Sequence, residues 1–245
     1  MGVKRGAGRV TRKANRDPGH VQEKMQRIHA PHVADLNQLA DEIAEWQGLP
    51  RGRVPYVDPD LGGVRADIFG LASDPGPRAV VYRGGSGLLS MENNDESAAF
   101  CHDEYYRVGV PLTRVVHWNA VPFPVLKGGR PNRDERRAAQ RWLPRVLALL
   151  PEVRVIVLFG NVAEQLWREA RPIIPSHVAL IKSLHPSPQV RNRKPENTGI
   201  LRDTFDKIAL AAGLSSKPVR SHSKIHLGQR PIRYDGAKQG DVYRA

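Results

Sequence analysis

Cysteine is almost missing from this 245-residue chain, with Cys101 its single representative. One thiol cannot build a disulfide framework, nor supply the several ligands of an iron–sulfur cluster or a Cys-rich zinc site. A reducing, cytoplasmic location is the expectation that follows. Long apolar runs are missing too: none reaches about 18 residues, so no membrane partner is expected. The polar N-terminus, MGVKRGAGRVTRKANRD, lacks the apolar middle of a secretion signal. Acidic residues are scarce, 25 against 38 lysines and arginines, which leaves a formal net charge of +13. That surplus points to a polyanionic partner, nucleic acid first, and names no chemistry. The Gly-rich stretch YRGGSG at 82–87 has no Lys-Ser/Thr pair after its glycines. It therefore lacks phosphate-loop spacing, and a nucleotide-phosphate enzyme stays only as an alternative reading.

The charge that is present is uneven. Residues 1–30 carry Lys4, Arg5, Arg9, Arg12, Lys13, Arg16, Lys24 and Arg27 against Asp17 and Glu23, with few large apolar groups. This composition predicts a mobile basic arm over 1–30. The segment 215–245 is similar and shows neither helical nor strand period, which predicts a basic C-terminal tail. A domain over 31–214 is expected between them.

Within that domain, periodicity alternates between two kinds of segment. Val33, Leu36, Ala40, Ile43 and Ala44 recur at helical spacing, predicting a helix over 32–46. ADIFGLAS (66–73), TRVVHW (113–118), VRVIVLFG (153–160) and HVALIKSL (177–184) read as strands. Helices are predicted between and after them: one capped by Asp95 and running to Arg107, one over 133–150 kinked at Pro144, then 161–170 and 199–213. Strands apolar on both faces, alternating with helices, predict an α/β fold, a three-layer α/β/α sandwich around a four-stranded parallel sheet. Chemistry in such a sheet gathers at the carboxyl ends of the strands. The residues there are Asp74, Asn119, Asn161 and His185.

Three of these ends, LASDPGP, VVHWNAVP and SLHPSP in this order, resemble the uracil-DNA glycosylase superfamily, and the segment GSGLLSMENNDESAAF is similar to bacterial members. The resemblance spans Ala66 to Gly213 and implies a uracil-DNA glycosylase-like fold without an iron–sulfur cluster or other cofactor. It implies a monofunctional enzyme, a monomer, that acts on DNA containing uracil or another deaminated base in base excision repair. By position Asp74 matches the motif carboxylate that assists water, Asn119 the amide that reads uracil, and His185 the histidine facing the base O2.

Elementary chemistry gives each residue a reason. A base inside a duplex must be extruded before its glycosidic bond is reachable. Cleavage leaves negative charge on the base and positive charge on the sugar, so a carboxylate beside the sugar and a neutral imidazole donor at O2 both fit. An amide offers the acceptor and donor that N3–H and O4 of uracil require. Each also has an ordinary explanation: Asp ahead of Pro-Gly forms turns, and loop Asn bonds nearby backbone. In HPSPQVRNRK, Pro186 and Pro188 stiffen the turn, and Ser187 offers a hydroxyl or an amide to a phosphate. Gln189, Val190 and Arg191 stand where the family inserts a wedge into the duplex, and Arg191, Arg193 and Lys194 offer charge to flanking phosphates.

The sequence departs from the best-studied branch at two points. Gly76 replaces the aromatic residue that shuts out the thymine methyl, and Leu88 or Leu89 stands where a stacking Phe is expected, with Tyr82 or Phe100 as substitutes. The histidine-bearing insertion of the branch that crosslinks to its product is missing, since HSKIH lies in the tail. Two alternatives to a plain uracil enzyme remain: a broader mismatch or deaminated-base glycosylase, and a catalytically weak or inactive DNA-binding protein on the same fold.

Overall fold

The computed structural model describes residues 11–125 and 129–214. Residues 1–10 of the expected arm and the whole expected tail, 215–245, lie outside the described residues. In chain order the elements are α1 (Pro18–Met25), α2 (Ala34–Trp46), β1 (Tyr56–Val57), β2 (Ile68–Ala72), β3 (Leu88–Leu89), α3 (Glu96–Arg107) and β4 (Val115–Asn119). They continue with α4 (Arg133–Ala139), α5 (Leu143–Ala148), β5 (Val155–Phe159), α6 (Asn161–Ala170), β6 (Ala179–Ser183), α7 (Pro188–Arg191) and α8 (Asn197–Ala211).

The main sheet is parallel throughout, in the order β4-β2-β5-β6. Strand alternation divides the core into two layers. Phe69 and Leu71 of β2, Val116 and Trp118 of β4, and Ile156 and Leu158 of β5 pack on one face with α2, α5 and α6. Ile68, Val115, Val155, Val157 and Phe159 pack on the other with Phe100, Cys101 and Tyr105 of α3 and Leu201, Phe205 and Ile208 of α8. The three-layer α/β/α sandwich expected from the pattern is therefore the architecture. Each fully buried side chain of this kind contributes about 1.5–3 kcal/mol.

Two expectations need correction, and one feature was not foreseen. Residues 11–30 are part of the fold: Asp17 caps α1 by accepting from the Gly19 amide at 2.9 Å, Pro18 starts it, and Lys24 is completely buried. The run of positive charge misled because its neutralising partners, Asp58, Asp60 and Glu92, are remote in sequence. Pro144 does not kink one long helix. It opens a second one, α5, at the first-turn position where proline's missing N–H costs nothing. Finally, β1 and β3 form a separate two-stranded parallel ladder, Tyr56 opposite Leu88 and Val57 opposite Leu89, too short to show a period in the sequence.

Candidate active site

The carboxyl ends of β2 and β4 are held in register beyond the strands themselves. The Ala120 amide donates to Ala72 O at 2.8 Å and the Val121 amide to Ser73 O at 2.9 Å. The loop bearing Asp74 and the loop after Asn119 are therefore tied together. Next to them β5 is followed by Gly160, whose φ of +86° suits glycine, and a Cβ there would lie 2.9 Å from the Cβ of His185. The bare backbone lets the β6 end close against β5, and the Gly160 amide bonds Ser183 O at 2.9 Å.

These ends surround a cavity of about 430 Å³. Of the residues singled out above, Asp74, Gly76, Leu89, Asn119, His185 and Gln189 line it. Its remaining wall includes Met91, Asn93, Asp95, Cys101, His117 and Phe159. The volume falls in the range of pockets built for small ligands, about 300–1,000 Å³.

Asn119 carries the most informative atom in the site. It is 7% exposed, and its Oδ1 is buried without a hydrogen-bond partner. Leaving a buried carbonyl unsatisfied costs about 1–3 kcal/mol, which a structural asparagine would avoid by bonding backbone. The amide is thus unspent and available to a ligand.

His185 is set in one tautomer. The Ser187 amide donates to its Nδ1 at 3.2 Å, so in the neutral ring Nε2 carries the proton and is the donor. Burial lowers its pKa from the ordinary 6.5, against the opposing charge of Asp95, and the ring is neutral at physiological pH. Asp74 is partly buried, which raises its pKa above the ordinary 3.8; the Ser73 hydroxyl, donating to Oδ1 at 2.6 Å, opposes the shift. Glu135 pushes in the same direction as burial, and Arg83 against it. The Ser73 hydroxyl thus favours the ionised form of Asp74, and burial and Glu135 disfavour it.

Other candidates fall elsewhere. Leu88 is fully buried in the core rather than at the cavity, so of the two leucines Leu89 is the one that lines it. Tyr82 is 47% exposed on the surface, its ring beside the guanidinium groups of Arg53 and Arg83. Phe100 packs in the core beneath Arg191, whose guanidinium lies 4.7 Å from the ring centroid. Asn161 begins α6, exposed and away from the cavity.

The basic turn is also more committed than its sequence suggests. The Ser187 amide, offered above to a phosphate, is spent on His185, which leaves the hydroxyl. Arg191 is folded back, its Nε donating to Pro186 O at 3.1 Å, and Val190 O accepts from Asn197 Nδ2 at 2.6 Å. Gln189 is the exposed residue of this turn on the cavity wall, while Arg193 and Lys194 are exposed beyond it.

Sequence reasoning missed His117 and Phe159. His117 is partly buried at the cavity, shares a 2.9 Å hydrogen bond with the Tyr105 hydroxyl, and is driven by desolvation to a pKa of about 3. Two-residue alternation along β4 was the available signal, because it places His117 on the same face as Asn119. Among the described residues, the His, Asp and Glu atoms able to converge on an ion are those of His20, Asp60 and Glu92, and the Lys24 ammonium already bridges two of these side chains.

A family model described as the uracil DNA glycosylase superfamily matches residues 73–209, more than half of the chain. No curated protein matches it. Among solved structures, a mimivirus UNG variant in complex with UGI is 16% identical over 82% of this chain and 87% of that one, with a TM-score of 0.44. Mimivirus uracil-DNA glycosylase is 17% identical over 72% of this chain and 71% of that one, with a TM-score of 0.40.

Proposed function

The chain belongs to the uracil-DNA glycosylase superfamily, and from that premise we propose that it is a DNA glycosylase that removes uracil, and small 5-substituted uracils in mispairs, by hydrolysing the base–sugar bond. The observation that carries the reading is the buried, unpartnered Oδ1 of Asn119 in a cavity shared with Asp74 and His185. A uracil extruded into the cavity would meet its N3–H with Asn119 Oδ1 and its O4 with Asn119 Nδ2.

In this mechanism the bond between sugar C1′ and base N1 breaks, and its electron pair leaves with the base. The negative charge spreads to O2, where His185 Nε2–H donates a hydrogen bond while the ring stays neutral. The sugar becomes oxocarbenium-like and is stabilised by the Asp74 carboxylate, which also orients water toward C1′. The water oxygen bonds C1′ and its proton passes to Asp74 or solvent; the base is protonated later by solvent. Gln189, exposed at the cavity wall, is the residue of the turn best placed to occupy the gap left by the flipped nucleotide. Exposed Arg193 and Lys194 contribute phosphate attraction.

Gly76 determines how far specificity extends. A Cβ built on it meets nothing within 4 Å, so this wall of the pocket stands open. Thymine presents the same N3–H and O4 as uracil, and Asn119 cannot separate them. Selection against normal T·A pairs then rests on the cost of flipping, a few kcal/mol and least for mispaired or single-stranded bases.

The test uses oligonucleotides carrying U, T, hypoxanthine, xanthine or 5-substituted uracils, followed by alkali cleavage. Uracil in single strands and in U·G is expected to be removed ahead of U·A, with measurable action on small 5-substituted uracils opposite G. Gly76→Tyr should suppress the latter and spare uracil. A wild-type protein that rejects every 5-substituted base opposite G would show that the open wall does not set specificity.

A further inference from the structure

The segment from Thr11 to Met25 is fastened along the back of one pocket wall. The Lys24 ammonium bonds Asp58 Oδ2 at 2.6 Å and Asp60 Oδ2 at 3.1 Å, and it also bonds Glu92. Asp58 follows β1 and Glu92 follows β3, so one cation joins the ends of both strands of the small ladder. Neighbouring contacts run the same way. The Thr11 amide donates to Glu92, His20 Nε2 lies 3.0 Å from Glu92 Oε2, the Asn15 amide donates to Glu92 O at 3.1 Å, and Asn15 Nδ2 donates to Asn93 Oδ1 at 2.9 Å.

Of the residues held in this way, Glu92 and Asn93 belong to the stretch Ser90–Asp95, and Asp58 lies beside its start. Ser90, Met91, Asn93 and Asp95 line the cavity, and the Asp58 amide donates to Leu89 O at 3.3 Å. Asp95 also caps α3, accepting from the Ser97 and Ala98 amides at 2.8 and 2.9 Å, and its charge acts on His185. Burial works against the Lys24 ammonium, but Asp58 and Glu92 outweigh it and raise its pKa, so the group is charged. A buried ion cluster adds little net stability over an apolar replacement.

We propose that Lys24 is a positioning residue for the base pocket, pinning the Ser90–Asp95 wall from behind through Glu92 and Asp58. The pocket is then shaped by a helix that lies outside the matched region, residues 73–209. The proposal rests on the functional reading above for its link to base release, and on the contacts alone for its mechanical part.

The experiment compares full-length wild type, Lys24→Met and Glu92→Gln by hydrogen–deuterium exchange, abasic-DNA affinity and single-turnover uracil release. Lys24→Met should speed exchange of the 90–96 amides while β2 and β5 keep their protection. Release should slow by about 10²-fold, the scale of a misplacement of about 1 Å, with affinity for abasic DNA unchanged. Glu92→Gln, which retains size and one acceptor oxygen but removes the charge, should show the same pattern more weakly. It decides the matter should Lys24→Met fail to fold. Unchanged protection at 90–96, or a loss spread evenly over the sheet, overturns the proposal. An inactive wild type counts against the functional reading instead, and the exchange pattern still shows whether Lys24 holds the wall.

Discussion

Asp74→Asn is expected to slow single-turnover uracil release by about 10²- to 10⁴-fold, the range typical of a positioned acid–base group, while affinity for uracil-containing DNA changes little. The substitution preserves size and leaves an oxygen to accept from the Ser73 hydroxyl, but it removes the negative charge and turns one acceptor into a donor. That charge matters little to the resting substrate and most when the sugar turns cationic, so the loss belongs in the rate and not in binding. The wild-type pH profile carries the same information. Asp74 works ionised, and burial has raised its pKa above 3.8. Activity should therefore fall as pH drops through that raised value, and the limb should vanish from the residual activity of Asp74→Asn. Burial has moved His185 in the opposite direction, below 6.5, and its neutral form is the donor. The profile should consequently be flat through the ordinary histidine range. An acid limb that persists in Asp74→Asn would assign it to another group.

Asn119→Asp is expected to cost about 10²- to 10³-fold in kcat/KM, the scale seen when one preorganised donor is lost. Asn119 Nδ2 is the donor assigned to uracil O4. An ionised carboxylate puts acceptors against both O4 and the N3–H region, so one contact turns repulsive while the other survives. The variant should keep the cavity intact, because Oδ1 of the native side chain bonds nothing else in the protein. Burying the new carboxylate costs stability, so a lowered unfolding temperature with a protein still folded at the assay temperature, together with impaired uracil release, is the expected pair of results. Full activity in Asn119→Asp would remove the residue from base recognition.

The strand ends were the most legible part of the sequence. Asp74, Asn119 and His185 each follow a short apolar run whose type is plain from composition, and a parallel sheet brings such ends together. Gly76 was readable too, because an absent side chain needs no knowledge of packing. The folded position of residues 11–30 was not readable, since Lys24 is neutralised by Asp58, Asp60 and Glu92, between 34 and 68 positions away. Charge pattern along the chain cannot show a pair closed in space. The basic turn failed for a related reason. Arg191 looks free in HPSPQVRNRK, but only the fold reveals Pro186 O and the Phe100 ring as its partners. Leu88 and Leu89 were indistinguishable in sequence, and the two-residue strand β3 separates them by sending one into the core and one toward the cavity.

The most direct measurement is mass spectrometry of the products formed from a U·G duplex by excess wild-type protein in EDTA. The account predicts free uracil and a full-length strand lighter by the base, intact until alkali cuts it at the abasic site, with no requirement for added metal. Absence of free uracil, strand scission without alkali, or activity that appears only when metal is restored would contradict it.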